Sequence, residues 1–181
     1  MSGENNSDSQ EPKLEISDNK VVSFHFRLCE VGSDGKHSEW LEESFDRQPH
    51  KYLHGFHNVI VGVEKALLGK SIGDCVNITL SPEDAYGLWH PNIIQRVPIK
   101  YTNISPRQKK LAPPKKVSVQ TDQGLKQATV VKMGKFNVDV DFNHPYAGMT
   151  LYYEIEVVEI RDATAAELDH GHVHGDGGYH H

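Results

Sequence analysis

The chain closes on DHGHVHGDGGYHH, Asp169 to His181, which holds five of the protein's twelve histidines. His170, His172 and His174 alternate with Gly171 and Val173, unlike the unbroken run of an affinity tag. In an extended chain, side chains two apart point the same way, so these three can face one ion. Gly175, Gly177 and Gly178 allow His180 and His181 to fold back and complete the shell. Neutral imidazole, dominant above a pKa of about 6.5, suits Ni²⁺, Zn²⁺ and Cu²⁺. Asp169 and Asp176 add possible oxygen ligands or partners for the imidazoles. The spacing predicts a metal-binding extension. A second pair, His54 and His57 in HGFH, lies outside a clear helix, where structural histidines outnumber ligands.

Another constellation is apolar. Tyr52-Leu53, Val59-Ile60, Ala85-Tyr86-Gly87 and Tyr152-Tyr153 fall beside regular elements. Tyr86, between Ala and Gly in a loop, has two readings. Its ring packs and its hydroxyl binds backbone, or it is a phenolic donor at the rim of an apolar pocket. Conventional catalysis has little foothold. There is no GxGxxG, no phosphate-binding loop and no GxSxG elbow. Cys29 and Cys75 are far apart in strand-like segments, which excludes a disulfide framework or metal knuckle and predicts buried or half-buried reduced thiols.

Several elements must position these residues. Val22, Phe24, Phe26 and Leu28 alternate with Ser23, His25, Arg27 and Cys29, the pattern of a half-buried strand. SDGKHS is turn chemistry, and WLEESF resumes as an extended segment. VIVGVEKALLG spaces Val59, Val63, Ala66 and Leu67 near helical period and stops on Gly69, predicting a short helix. CVNITLSP is a strand with Val76, Ile78 and Leu80 inward. Beyond Arg96, IKYTNISPRQKKLAPPKK reads as a long basic connection. Strand candidates follow at 116–121, 127–132 and 136–142, parted by DQG and MGK. TLYYEIEVVEI is a strong strand with Leu151, Tyr153, Ile155 and Val157 on one face. One helix among antiparallel-style strands, with no βαβ rhythm, argues for an α+β fold.

Composition sets the outer bounds. A chain of 181 residues suits one domain, or a small one with a second folded into it. No apolar run reaches the roughly 18 residues of a membrane span. The polar opening MSGENNSDSQEPK lacks a signal-peptide core, so the first eighteen residues read as a disordered lead and the compartment as cytoplasmic. The net charge of −6 hides an asymmetry: Arg96 to Lys135 holds ten Lys or Arg and one acid, Asp122. With no recognition helix and no stacking motif there, a solvated basic face is favoured over specific nucleic-acid binding.

The stretches KYLHGFHNVIVGVEKALLGKSIGDCVNITLSPEDAYG and TLYYEIEVVEI resemble the FKBP-type peptidyl-prolyl cis-trans isomerases, most of all their SlyD-like branch. The resemblance covers about Val21 to Arg161, with TDQG and NHPYAG similar to markers of that branch's inserted part. It implies an antiparallel sheet wrapped on a short helix at 19–96 and 145–162. It also implies a small β-rich chaperone-like domain inserted at 97–144, and a disordered His-rich tail at 163–181. The implied catalytic residues are Tyr86, Phe26, Glu42, Ile60 and Tyr153, with Leu41, Val59, Val63 and Ala85 binding substrate. Tyr86 hydroxyl and Ile60 N–H are the expected donors to substrate carbonyls, and no cofactor is needed. The implied partners are unfolded chains with X–Pro bonds, and Ni²⁺ (or Zn²⁺ or Cu²⁺) held by His170, His172, His174, His180 and His181. The expected protein is a monomer with no membrane or specific nucleic-acid partner. Phe26 stands where many relatives carry Tyr, Glu42 where they carry Asp, and His50 where an apolar residue is common. Competing readings are a metal-handling protein and a client-binding module with a degenerate pocket.

Overall fold

A computed structural model describes residues 13–105 and 115–173. The chain divides into two compact units: a terminal unit, Met1–Ala85 with Thr150–His181, and a central unit, Tyr86–Met149. The sequence reading set the inserted segment at 97–144.

The terminal unit contains strands β1 (Lys20–Val31), β2 (His37–Glu43), β3 (His50–Leu53) and β4 (Cys75–Leu80), with helix α1 (Val61–Leu67) between β3 and β4. The central unit adds β5 (Ile94–Pro98), β6 (Lys116–Thr121), β7 (Gly124–Met133) and β8 (Asn137–Asp141). The chain then returns through β9 (Leu151–Asp162) to helix α2 (Ala165–His170) in the terminal unit. The sheets are antiparallel and the helices short, an α+β architecture. No helix among the described residues is long and apolar enough to cross a membrane.

The terminal sheet runs β2-β1-β9-β4, with β3 also paired to β1. β1 is long enough for two partners on one side: β3 covers Val21 to Phe24, and β2 covers Arg27 to Val31. Alternation explains the core. Phe24, Phe26 and Leu28 of β1 are buried, as are Leu151, Tyr153, Ile155 and Val157 of β9. α1 buries Val63 and Leu67 and approaches β4 closely, with Gly62 against the Leu80 side chain.

The structure corrects the sequence reading at several points. The lead ends before residue 18. Ile16 is 1% exposed, its N–H donates to the Lys70 carbonyl at 2.7 Å, and its own carbonyl accepts from Gly69 at 2.9 Å. Beside Ile16, Glu15 forms a β-bridge with Ser71 and Lys13 pairs with Asp74 at 3.1 Å. The start of the tail is also ordered, since Thr164 and Glu167 form a capping box for α2 and Gly171, at φ 69°, ends it. Val173 then packs with Val21 and Leu53, beside Phe56 and Ala163. That cover buries Val21, which strand alternation alone would leave outward. Cys29 is buried but Cys75 is exposed.

The central unit is a four-stranded sheet, β5-β8-β7-β6. What read as a connection from Ile99 onward, directly after β5, supplies a 3₁₀ turn at Ile99–Tyr101 and the buried Ile104. Ile104 joins Val117, Val119, Val130, Val138 and Val140 in a core of the unit's own. Phe136 and Leu125 remain 71% and 72% exposed.

Candidate functional site: an aromatic face centred on Phe26

Phe26 sits where β2 gives way to β3 along the edge of β1, so neither strand completes its ladder. Ser44 does so instead. Its Oγ accepts from the Phe26 N–H at 2.9 Å, and its N–H donates to the Phe26 carbonyl at 2.9 Å. The Phe26 backbone is thereby fixed without a third strand. Its ring meets His50 at 4.9 Å and Tyr153 at 6.1 Å between centroids. Phe24 extends the cluster toward His50 at 6.1 Å and meets Tyr52 edge-on at 5.7 Å. These are the spacings of favourable aromatic pairs, and together they make an apolar wall. Ser44 carries no sequence signal, because its role exists only at the gap between two strands.

The other expected residues distribute unevenly. Val63 is buried, while Val59 and Ile60 are half-buried in the approach to α1. The Ile60 carbonyl accepts from Val63 and Glu64 at 3.0 and 3.1 Å and starts the helix. Asn58 pins that approach. Its Oδ1 accepts from the Leu53 N–H at 3.2 Å, and its Nδ2 donates to the Gly171 carbonyl at 3.0 Å. Leu41 is 43% exposed: Leu28 pairs with Glu42 and Cys29 with Trp40, so Leu41 is the extra residue of a β-bulge. Ala85 is half-buried at the end of the terminal unit. Tyr86 falls to the central unit, where its ring stacks on His144 at 4.0 Å and meets Tyr146 edge-on at 5.4 Å.

Electrostatics at the wall centre on His50. Burial pushes its ring below the ordinary imidazole value; the Glu42 carboxylate pulls it part of the way back, and His25 and Arg47 push it down again. His54 and His57 both have side-chain partners. Buried His54 faces the Tyr52 hydroxyl at 2.9 Å, and His57 Nδ1 lies 3.2 Å from Glu64. Glu64 also accepts from the Gly55 N–H at 2.9 Å. In the C-terminal segment the rings of His170 and His172 stack at 5.8 Å, and Asp169 lies 3.9 Å from His170. His170 ends a helix, so the extended geometry expected of it does not hold. His174, His180 and His181 lie outside the described residues. Among the described residues no three potential ligands gather around one point.

No protein-family model matches the chain. Curated proteins do. The FKBP-type peptidyl-prolyl cis-trans isomerase SlyD of Aeromonas hydrophila is 38% identical over 159 residues, 88% of this chain and 73% of the relative. SlyD of Pasteurella multocida is 34% identical over 165 residues, 91% and 79%. SlyD of Escherichia coli K12 is 38% identical over 135 residues, 75% and 67%. An antiparallel sheet with an aromatic face beside a short helix is thus joined to extensive identity with one class of enzyme. The chain belongs to the FKBP-type peptidyl-prolyl cis-trans isomerases of the SlyD kind. It is an isomerase of X–Pro peptide bonds, a chemistry that requires no cofactor.

Proposed function

We propose that the wall formed by Phe26, His50 and Tyr153, with Val59, Ile60 and Val63 beside α1, is where the X–Pro bond turns. The observation that carries this is Phe26 itself, locked by Ser44 with rings on either side. A planar amide resists rotation by about 18–20 kcal/mol because of resonance, and an uncatalysed X–Pro bond takes tens to hundreds of seconds. The twisted transition state has lost that resonance, so its carbonyl is less polar. An apolar wall therefore favours the twisted form over the planar one. An acceleration of about 10⁴-fold needs only some 5–6 kcal/mol of such differential binding.

In the same reading, the Ile60 N–H and Tyr86 hydroxyl donate to carbonyls flanking the proline. Glu42 supplies the acidic edge, Leu41 and Ala85 contact the substrate, and no covalent intermediate forms. The central unit is an inserted domain that holds unfolded clients. Its support is a hollow of about 1100 Å³ whose lining includes Ile99, Ile104, Met133 and Phe136. Lys100 and Lys135 also line it, giving apolar surface a basic rim suited to extended, neutral-to-acidic segments. The histidines from His170 onward bind Ni²⁺, Zn²⁺ or Cu²⁺; the paired rings of His170 and His172 fit such ions in donor type. The protein acts in the cytoplasm as a monomer.

Isomerisation of a proline tetrapeptide, followed without a coupled protease, tests the wall: Phe26→Leu should slow it. Refolding limited by proline isomerisation tests the holding role. Deletion of 97–144 should slow catalysis on the unfolded protein far more than on the tetrapeptide. Equal loss on both substrates would remove the case for client holding.

A further inference from the structure

His50 is a titratable residue set into an otherwise apolar wall. Its ring is 4.9 Å from Phe26 and 6.1 Å from Phe24, and β3 holds it directly opposite Phe24 in the ladder with β1. It is half-buried, so it both packs on Phe26 and keeps a path to protons. The charged and titratable groups acting on it come from each neighbouring element. They are His25 on β1, Glu42 on β2 and Arg47 in the β2–β3 connection, while the Tyr153 phenol of β9 stands at the far side of Phe26. Glu42 is the attractive member; His25, when charged, and Arg47 oppose it.

We propose that His50 is a specificity-determining wall residue of the isomerase pocket, working in its neutral form and closing the pocket to apolar substrates when protonated. This rests on the pocket reading given above. The neutral ring offers the proline an apolar aromatic surface continuous with Phe26. Protonation places a full charge with its hydration at that surface, which works against the desolvation that favours the twisted amide. Glu42 then has a second role, since its carboxylate sets how acidic the medium must be before His50 takes a proton. Burial already lowers the ring's affinity for a proton, so the protein is in its working form at neutrality.

The measurement is kcat/KM for a proline tetrapeptide without titratable side chains, from about pH 8 to about pH 5, using the full chain. The expected result is a loss of roughly three- to tenfold across the range, much reduced in His50→Phe. Glu42→Gln should move the midpoint to lower pH. A second readout needs no substitution: the His50 ring is titrated by NMR with and without saturating peptide. Peptide that prefers the neutral ring must lower the ring's pKa by linkage. Parallel pH profiles in His50→Phe and the natural sequence, or a midpoint unmoved by peptide, would overturn the inference. Phe26→Leu separates the two levels. If it loses rate at every pH while the profiles stay parallel, only the His50 role fails. If it loses nothing, the pocket reading itself fails.

Discussion

Arg161 holds Glu167 in a two-pronged ion pair, with Nη1 2.9 Å from Oε2 and Nη2 2.7 Å from Oε1. The same carboxylate accepts from the Thr164 N–H at 2.9 Å, so one side chain ties the last strand to the cap of the last helix. Glu167 is buried while the Arg161 side chain is 38% exposed, which moderates the pair's strength. Replacing Glu167 with Gln keeps an acceptor for the Thr164 N–H but should destabilise the terminal unit by about 1–3 kcal/mol, through the lost ion pair and a partly stranded guanidinium. Hydrogen bonding from Arg161 is the main reason the carboxyl is held far below its ordinary value. A depressed carboxyl contributes stability above its unfolded value, near 4.5, and loses it as pH falls toward the folded value. Thermal midpoints of the two proteins should therefore converge in acid.

His54 predicts a second acid effect with its own pH window. Burial pushes this ring below the ordinary value of 6.5, against the pull of Glu64 and Asp18. Between the unfolded value and the lower folded one, the unfolded chain binds more protons, so stability falls as pH drops through that interval. Unfolding free energies from urea titrations between about pH 7 and about pH 5 should decline, by up to about 1.4 kcal/mol for each unit of difference in pKa. His54→Phe, less stable at neutrality, should decline less. An equal slope would show that other groups carry it.

Gly62 allows α1 to approach β4 closely. A Cβ there would meet the Leu80 side chain and lie 2.9 Å from the Asp84 carbonyl oxygen. Alanine favours a helix over glycine by about 1 kcal/mol, yet overpacking costs about 1–3 kcal/mol. Gly62→Ala should therefore be destabilising on balance. Because Gly62 lies between Ile60 and Val63, tetrapeptide KM should rise too, and kinetics beside denaturant unfolding would show both. A neutral or stabilising outcome would mean that Leu80 moves aside freely.

The parts of this architecture legible in sequence are those set by local period. β1 and β9 show their buried faces in plain alternation, and Gly69 marks the end of α1 with φ 74°. The capping box of α2 was equally present in Thr164-Ala-Ala-Glu167, but the polar, His-rich stretch around it argued for disorder. What local period cannot carry is pairing between distant segments. β3 is four residues long and owes its existence to β1. Ser44 matters only because two strands share one edge, and the bulge at Leu41 arises from a register set across that edge. At the site, Phe26 and Tyr153 could be read as inward from alternation. His50 could not, because its place on the Phe26 ring depends on β3 forming at all.

The ordered start of the C-terminal segment sharpens the metal prediction. Loss of residues from 163 onward would remove the Arg161–Glu167 pair, the Asn58–Gly171 hydrogen bond and Val173 from the core, confounding metal binding with stability. A chain ending at Val173 keeps all three and lacks only His174, His180 and His181 among the expected ligands. Two imidazoles chelate far more weakly than a larger set, so Ni²⁺ affinity by calorimetry should fall at least about tenfold while the thermal midpoint without metal holds. His170→Ala with His172→Ala in that shortened chain should abolish the remainder. Undiminished affinity there would move the site to other histidines. His54 and His57 are poor substitutes, since one faces Tyr52 in the core and the other is paired with Glu64, so binding there would have to break contacts that hold the approach to α1.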